Sequence, residues 1–419
     1  MRTPKLDGIS RPAALVVVAA LVVAVAFAAW WLARGGSGVG PGQEPGSREL
    51  DRATLDRSLE LGLGYLLRSQ RPDGRFRYQV HVVDGPVGGE DNQVRQAGAL
   101  WGLSLIHQDR PDPRIGAAVA RGLEFFRGHG KLTKDGRRLL SYPGHAPTST
   151  GTHALYCLAL IEYLRAEKPA ARDPLWLEEL DRSLRQLVYL RRPDGYFYAA
   201  YDLAEGRGIE PPNPYFDGES LLALAKAARY LGRDALRPLI IESAEAMYGR
   251  YVLRALAEEP DSDMTKGFYQ WGSMSFFELV QAGWPGTEAF ARRTVELAHW
   301  QIDVHRTLEQ LGNTSYAHEG LVCAAELARG IGDEAAAAKI AQVVDTGLAR
   351  LISWQVGSPR ANAYLREQGS IHPGALGGAM NTANTPLLRI DVTQHQMHAV
   401  ILARRYLYPS SPPSAVSGP

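Results

Sequence analysis

The chain has 419 residues, and its 46 basic and 45 acidic side chains leave a formal net charge of +1. This balance lacks the basic footprint with which DNA- and RNA-binding proteins neutralise phosphates, so a nucleic-acid partner is disfavoured. The two cysteines, Cys157 and Cys323, lie in apolar helical patterns without CxxC spacing, which argues against a zinc finger or a disulfide scaffold. We expect both to be small buried hydrophobes, although a disulfide between them stays open if the compartment is oxidising.

The N-terminus contains an uncharged apolar run of 22 residues, 12–33, which is long enough to cross a bilayer as a helix. Arg2, Lys5 and Arg11 precede the run, and this positive charge favours a cytoplasmic N-terminus. The alternative is a cleaved signal peptide, because Ala26-Phe27-Ala28 has the small-x-small pattern of a cleavage site. The sequence therefore predicts residues 1–11 in the cytoplasm, an uncleaved anchor at 12–33, and an extracytoplasmic remainder.

Two segments rich in glycine, proline and serine enclose the rest of the chain. Their composition cannot bury a core, so we expect a flexible linker at 34–49 and a disordered tail at 409–419. No comparable linker interrupts residues 50–408, which predicts one large domain.

Apolar residues recur at helical spacing through this domain and predict twelve helices in six pairs. The first helices of the pairs are predicted at 52–69, 113–127, 174–191, 236–256, 286–303 and 334–355. The second helices are predicted to begin near Asn92, Gly151, Asp217, Tyr269, Thr314 and Arg389.

A turn motif recurs with the pairs, as QRPDGRF at 70–76, KDGRRL at 134–139 and RRPDGYF at 191–197. The glycine after each aspartate supplies the positive φ that such a turn needs. The period of about sixty residues suits a helical hairpin repeat, and we expect Asp73, Asp135 and Asp194 in equivalent turns on the face opposite or alternate to the starts of the second helices. An open solenoid is one solution, but an all-α (α/α)6 toroid, with the second helices as an inner barrel, is the architecture that we expect.

All inner helices of such a ring run the same way, so their N-termini meet at one mouth. We expect the following residues there as substrate-binding groups: Glu90, Asp91, Asn92, Arg95, His153, Asp217, Tyr269, Gln270, Trp271, Tyr316, His318 and Arg389. Helix capping explains small polar groups such as Ser149 and Asp217 equally well, and core packing is the alternative for Trp271. Aromatic rings beside carboxylates and amides suit a sugar-binding cleft.

Four residues are the predicted catalytic groups: Asp391, His395, Glu219 and Glu319. Asp391 and His395 are four residues apart and share a helix face, so the carboxylate could orient the imidazole for proton transfer. A structural ion pair is the alternative. His398 raises the question of a metal, but no ligand motif accompanies it, so no metal or cofactor is predicted.

The repeat architecture over residues 50–408 resembles the (α/α)6 toroid superfamily of six-hairpin glycoside hydrolases, sugar epimerases and terpene-cyclase toroids. The segment RIDVTQH at 389–395 is loosely similar to an Arg, Asp and His cluster near the C-terminus of glucuronyl C5-epimerases, which are also N-terminally anchored. The spacing before that segment differs, so the resemblance assigns no catalytic role. The DxDD acid motif of protonating terpene cyclases is absent, and EPDSDM at 259–264 does not replace it.

The sequence hypothesis is a membrane-anchored, extracytoplasmic carbohydrate-active protein that acts on a polysaccharide or glycoconjugate as a hydrolase, lyase or epimerase. One alternative is a non-catalytic toroid that binds glycan or a protein partner during envelope assembly. Another is a terpenoid-cyclase-like enzyme that acts on lipid. A polar cleft would favour the two glycan hypotheses, and a deep aromatic tunnel would favour the lipid hypothesis.

Overall fold

A computed structural model describes residues 49–409, and most of this part of the chain is helical. The predicted anchor at 12–33 and nearly all of the predicted linker and tail lie outside the described residues. In chain order the helices are α1 (Arg52–Ser69), α2 (Gln93–Asp109), α3 (Pro113–His129), α4 (Thr150–Ala166), α5 (Pro174–Tyr189), α6 (Pro214–Leu231), α7 (Arg237–Tyr248), α8 (Ala255–Glu258), α9 (Asp263–Gln281), α10 (Ala289–His299), α11 (Ser315–Gly330), α12 (Glu334–Ser353), α13 (Ala363–Arg366) and α14 (Ile390–Tyr406).

Six of these helices form a closed inner ring. Each packs against the next in the order α2, α4, α6, α9, α11 and α14, and α14 packs back against α2. The helices α1, α3, α5, α7, α10 and α12 precede them in the chain and pack around the outside. This closure confirms the predicted (α/α)6 ring and excludes an open solenoid, in which the first and last inner helices would not meet.

The inner helices approach one another closely because small residues stand where their faces meet. A Cβ atom added to Gly102 would lie 2.4 Å from the Cγ of Gln394, and one added to Gly218 would lie 2.4 Å from the Cβ of Trp271. Both separations are far below van der Waals contact, so only glycine leaves room for these side chains. The inner helices are consequently buried along almost their whole length.

Short antiparallel strands lie in the loops at the mouth of the ring. They are β1 (Gln79–His81), β2 (Gly85–Val87), β3 (Lys131–Leu132), β4 (Arg138–Leu139), β5 (Thr148–Ser149), β6 (Ala200–Tyr201) and β7 (Leu387–Arg389). The central strand of the three-stranded sheet is β1, with β2 on one side and β7 on the other. Because Gln79 pairs with Arg389, this sheet joins the first inter-helix loop to the last and fastens the ring.

The three Asp-Gly turns have equivalent backbone structures. Gly74, Gly136 and Gly195 have φ values of 96°, 78° and 90°, and each turn is closed by the same pair of backbone hydrogen bonds. In the first and third repeats a phenylalanine N–H after the turn donates to a side chain on the next inner helix. These bonds run from Phe76 to Gln96 and from Phe197 to Asp217, both at 2.8 Å. The equivalent turns therefore show that the predicted period of about sixty residues corresponds to a repeat in the structure.

The turns lie on the connections from outer-helix C-termini to inner-helix N-termini, at the same end as the mouth. The sequence predicted these turns on the face opposite or alternate to the inner-helix starts, and this prediction was wrong, because the turns lie at the same end as those starts. The reason is the chain direction within each hairpin, because every turn follows its outer helix.

Two inner helices begin earlier than predicted. Helix α9 starts at Asp263, with the Ser262 hydroxyl accepting from the Met264 N–H, whereas Tyr269 was the expected start. Helix α6 starts at Pro214 with Asn213 as its cap, so Asp217 lies inside the helix. Two outer helices, α7 and α10, continue as π-helical segments at Gly249–Arg254 and Trp300–Val304, the first within its predicted range and the second ending one residue beyond it.

Candidate functional site

A cleft of about 490 Å³ opens at the N-terminal end of the inner ring, and all six inner helices contribute to its lining. This size suits a ligand of a few sugar rings. The predicted site residues that line it are Arg95, Glu219, Gln270, Trp271, Tyr316, Arg389, Asp391 and His395. Glu319 lies directly beneath, in contact with His395. Ring closure therefore gathers side chains that are as much as 300 positions apart in the sequence.

Three predicted residues that precede α2, Glu90, Asp91 and Asn92, lie outside the cleft and stabilise its rim. Asn92 caps α2 by accepting the Arg95 N–H at 3.1 Å. Asp91 accepts from the Gln96 amide at 2.8 Å and from the Tyr142 hydroxyl at 2.6 Å. Glu90 accepts from the Gln79 amide at 3.0 Å.

Four further predicted residues are buried in the helix packing rather than in the cleft. His153 contacts the Tyr201 hydroxyl at 3.1 Å and the Ser183 carbonyl at 2.9 Å, and its burial lowers the pKa of His153 to about 4. Burial likewise lowers the pKa of His318 to about 3. Tyr269 is fully buried against α11, close to Gly320.

Asp217 is the fourth of these buried residues. Its carboxylate accepts the Phe197 N–H and a short hydrogen bond from the Tyr251 hydroxyl, and burial raises the pKa of Asp217 to about 7. Asp217 thus links the third Asp-Gly turn to helix α6. This role differs from both capping and substrate binding, the two roles that the sequence suggested.

The cleft floor contains an imidazole that a buried carboxylate orients. The Glu319 Oε1 atom lies 2.9 Å from His395 Nδ1, and Glu319 itself is fully buried. Gln270 donates its amide N–H to Glu319 Oε2 at 2.6 Å and fixes the carboxylate from a third helix. The contact at Nδ1 leaves Nε2 as the ring nitrogen available to a ligand. Because the His395 side chain is 23% exposed, this imidazole can reach a bound molecule.

The charges of this pair depend on each other. Burial opposes a charge on His395, but the Glu319 carboxylate outweighs that effect and raises the pKa of His395. Burial also opposes the charge on Glu319, yet the His398 and His395 imidazoles lower the pKa of Glu319 to about 2. Glu319 is therefore a permanent carboxylate, and His395 takes up a proton more readily than an ordinary histidine.

The predicted contact between Asp391 and His395 is replaced by ion pairs with two arginines. The Asp391 carboxylate lies 2.9 Å from Arg389 Nη2 and 3.3 Å from Arg95 Nε. The orienting acid comes from the neighbouring helix α11, whereas the sequence interpretation sought it on the same helix as His395. Two guanidinium groups share one carboxylate at the cleft wall, which leaves a local excess of positive charge.

Glu219 is the opposite case, a carboxyl group in the cleft wall without a partner. Its side chain is almost fully buried, and its Oε2 atom has no hydrogen-bond partner among the described residues. A Cβ atom added to Gly151 would lie 2.5 Å from that oxygen, so this glycine leaves the space that Glu219 occupies. Burial raises the pKa of Glu219 well above its usual range, which favours the protonated acid that can donate a proton.

Sequence reasoning missed several polar residues of the cleft, namely Lys266, Asn313, Ser315, Asn381 and Gln394. Lys266 was missed because α9 begins before the predicted start, and the Ser262-Asp263 capping signal could have identified it. Asn313 and Asn381 lie in separate loops, and the Asn313 N–H donates to the Asn381 carbonyl at 2.7 Å. No local signal reveals such a long-range loop contact.

Within residues 49–409 no group of three or more His, Cys, Asp or Glu side chains is arranged to hold a metal ion. In the same part of the chain no helix has both the length and the apolar character required to cross a membrane. Cys157 and Cys323 are both buried free thiols, which agrees with the expectation of small buried hydrophobes.

Comparison with solved structures identifies the fold of the chain. No protein-family model matches the chain, and no curated protein sequence matches it. Among solved structures, a cellobiose 2-epimerase from Spirochaeta thermophila has a TM-score of 0.59 at 15% identity, covering 85% of this chain and 96% of its own. The chain has the (α/α)6 toroid fold of carbohydrate-active hydrolases and epimerases.

Two further structures support this assignment of the fold. A GH76 α-mannanase from Bacteroides thetaiotaomicron has a TM-score of 0.56 at 9% identity, covering 84% of this chain and 96% of its own. An unsaturated glucuronyl hydrolase from Streptococcus agalactiae has a TM-score of 0.53 at 13% identity, covering 86% of this chain and 94% of its own. At these identities the similarity shows the fold and not the reaction.

Proposed function

We propose that this toroid is an enzyme that acts on a polysaccharide or glycoconjugate by general acid–base catalysis. The observation that carries the proposal is the pair of titratable groups in one cleft. Burial raises the pKa of Glu219 and favours its protonated form, and the Glu319 carboxylate holds His395 with its Nε2 atom available. Groups whose surroundings shift their proton affinities in this way are typical of catalytic acids and bases.

In the proposed reaction Glu219 donates its proton to an oxygen of the sugar and His395 Nε2 accepts a proton on the other side of the reaction. In a hydrolase that second proton comes from water, whereas in a lyase or an epimerase it comes from a sugar carbon. Trp271 and Tyr316 supply aromatic surface for sugar rings, and Arg95 and Arg389 supply donors for hydroxyl or carboxylate groups.

Similar folds support a glycan as the substrate. The mannanase, the cellobiose epimerase and the glucuronyl hydrolase are each named for action on a sugar, and all cover most of this chain. The mixed polar and aromatic lining of the cleft favours a glycan over an isoprenoid, whose recognition calls for an apolar tunnel.

The proposed location is extracytoplasmic, with the chain anchored by residues 12–33 and tethered by the linker at 34–49. A reporter enzyme that is active only outside the cytoplasm, fused after residue 419, tests this part. An inactive reporter on a stably expressed fusion would contradict it.

The function is tested by incubating the full-length protein with a panel of polysaccharides and oligosaccharides in D₂O or in H₂¹⁸O. Deuterium on a sugar carbon of the product identifies an epimerase, an unsaturated product that carries neither label identifies a lyase, and ¹⁸O in a new reducing end identifies hydrolysis. A Glu219→Gln variant is the matched control, because it removes the donor proton and keeps the shape of the side chain. A glycan that binds to both proteins and is altered by neither would support a non-catalytic binding role instead.

A further inference from the structure

The carboxylate of Glu319 contacts two imidazoles and not one. While Oε1 faces His395 Nδ1 in a hydrogen bond, Oε2 lies 3.3 Å from the Nδ1 atom of His398, within ion-pair distance but without hydrogen-bond geometry. His395 and His398 are three residues apart on α14 and therefore share a helix face, and Glu319 reaches between them from α11. Unlike His395, His398 is buried, with a side-chain exposure of 4%.

Two tryptophans fix the orientation of both rings. Trp101 packs edge-on against His398, with ring centroids 4.8 Å apart, and Trp271 packs against His395 at 6.2 Å. The two indoles also contact each other at 5.5 Å. Since dense aromatic packing restricts rotation of the imidazoles, both must face Glu319 in any protonation state.

The nearby charges do not replace Glu319 as the partner of His398. His398 also lines a small cavity of about 30 Å³ towards the other end of the ring, together with Glu162 and Lys226. Glu162 lies 2.5 Å from Lys226 and 2.7 Å from Arg165, so it is already paired. The titratable or charged groups around the two imidazoles, taken helix by helix, are Arg95 on α2, Glu162 and Arg165 on α4, Tyr215, Glu219, Lys226 and Tyr230 on α6, Lys266 and Glu278 on α9, Tyr316, Glu319 and Cys323 on α11, and Asp391, Arg405 and Tyr406 on α14, with Arg389 on β7.

One buried carboxylate balances one imidazolium. If both imidazoles were protonated, the cluster would carry an uncompensated positive charge in a buried site, which is costly. Protonation of either ring therefore opposes protonation of the other.

We propose that His398 is a positioning residue that competes with His395 for Glu319, so that the three side chains together hold a single exchangeable positive charge. This inference rests on the proposed acid–base role of His395. As a consequence, the pKa of His395 is raised less than it would be in a His–Glu pair without a competitor. His395 can therefore both accept and release a proton more readily than the histidine of such a pair.

The test is an NMR titration of the full-length, unliganded protein labelled with ¹⁵N in histidine only. His395 and His398 are assigned from the signals lost in His395→Gln and His398→Gln. In the wild type we expect both rings to titrate in two steps, as coupled sites do. In His398→Gln we expect one simple step at His395, with its midpoint raised by about one pH unit because the competitor is gone.

Two further variants separate this effect from a general structural one. Glu319→Gln removes the shared carboxylate and should lower the His395 midpoint below that of the wild type. His153→Gln removes another buried histidine, on α4, and should leave the His395 midpoint unchanged. An unchanged His395 midpoint in a folded His398→Gln protein would overturn the proposal.

If His398→Gln does not fold, the wild-type curve of His395, assigned from His395→Gln, still decides, because a simple one-step titration of His395 would overturn the proposal as well. No substrate is required, so the result does not depend on the glycan screen. A coupled pair in a protein that alters no glycan would contradict the proposed function and leave the coupling intact.

Discussion

The two ends of the inner ring both bury charged side chains, but they satisfy them differently. At the end away from the cleft, Glu162 and Glu278 are paired with Lys226, Arg165 and Arg229 at distances of 2.5 to 3.4 Å. Burial opposes the charge on Glu162, but Lys226 and Arg165 lower the pKa of Glu162 to about 2. At the cleft end, no cation pairs with Glu219 among the described residues, and burial raises the pKa of Glu219.

This contrast distinguishes buried carboxyl groups that have a structural role from those that can have a functional role. A carboxylate with close cations is fixed in one charge state and can contribute to stability, whereas a buried carboxyl group without a partner lowers stability and keeps a proton available. The position of the unpaired group, in a cleft beside an exposed imidazole, is what makes it a catalytic candidate.

The largest effect is expected for His395→Gln, which removes the proposed base. Turnover should fall by about 10²–10⁴-fold, the usual contribution of a general acid–base group. In the wild type, the rate should fall as the pH drops through the raised pKa of His395 and also as the pH rises through the raised pKa of Glu219. A pH–rate profile and a thermal midpoint on the same samples measure both, and a variant that keeps wild-type turnover would contradict the assignment.

At the opposite end, Lys226→Met should change stability and not chemistry. It leaves Glu162 and Glu278 without their shared cation, and the free energy of unfolding should fall by about 3–5 kcal/mol. Denaturant unfolding of the full-length protein measures this. The control is Arg57→Ala, which breaks an ion pair with Glu60 whose two side chains are both more than half exposed and should cost less than about 1 kcal/mol. Equal losses in both variants would remove the distinction between the two ends.

A smaller, opposite effect on stability is expected for Glu219→Gln. The folded-state pKa of Glu219 lies above its ordinary value, so the unfolded chain gains from ionisation above about pH 4.5 and the wild type loses stability as the pH rises from there. The amide cannot ionise, and at pH 7 the variant should be more stable by about 1 kcal/mol. Thermal unfolding at pH 4 and pH 7 should show the gain only at pH 7, together with lost turnover. A loss of stability at pH 7 would mean that Glu219 is ionised and paired.

The smallest effect is expected for Asp391→Asn. The sequence interpretation made Asp391 the group that orients His395, which predicted a large loss of turnover. In the structure its carboxylate holds Arg389 and Arg95, so the variant should mainly change KM, by up to about tenfold, with kcat nearly retained. Steady-state kinetics on the glycan found in the screen decide between the two, and a kcat loss comparable to that of His395→Gln would restore the original interpretation.

The fold was largely readable from the sequence because its signals are local. Asp-Gly turns and amphipathic spacing placed five of the six outer helices within a few residues of their observed bounds, and the fourth was predicted as one helix where the structure has α7, a π-helical segment and α8. Closure was a weaker inference, since it depends on α14 meeting α2 across nearly the full length of the domain.

The site was predicted less completely. Its location at the inner-helix starts follows from helix direction, which explains why Arg95, Glu219 and His395 were found. The partner of His395 was missed because Glu319 lies 76 positions away on another helix, and only the ring geometry brings them together. Asp217 and His153 look like site residues in the sequence, yet their phase on the helix directs them into packing contacts.

The position of His395 in the chain also bears on biosynthesis. Glu219 and Glu319 belong to α6 and α11, but His395 lies on α14, and β7 before it pairs with β1 from the first loop. Because α14 is the helix that closes the ring, a chain synthesised only as far as α12 has neither a complete barrel nor an assembled cleft. Closure of the ring and assembly of the cleft therefore depend on the same helix, and products shortened before α14 cannot assemble the cleft.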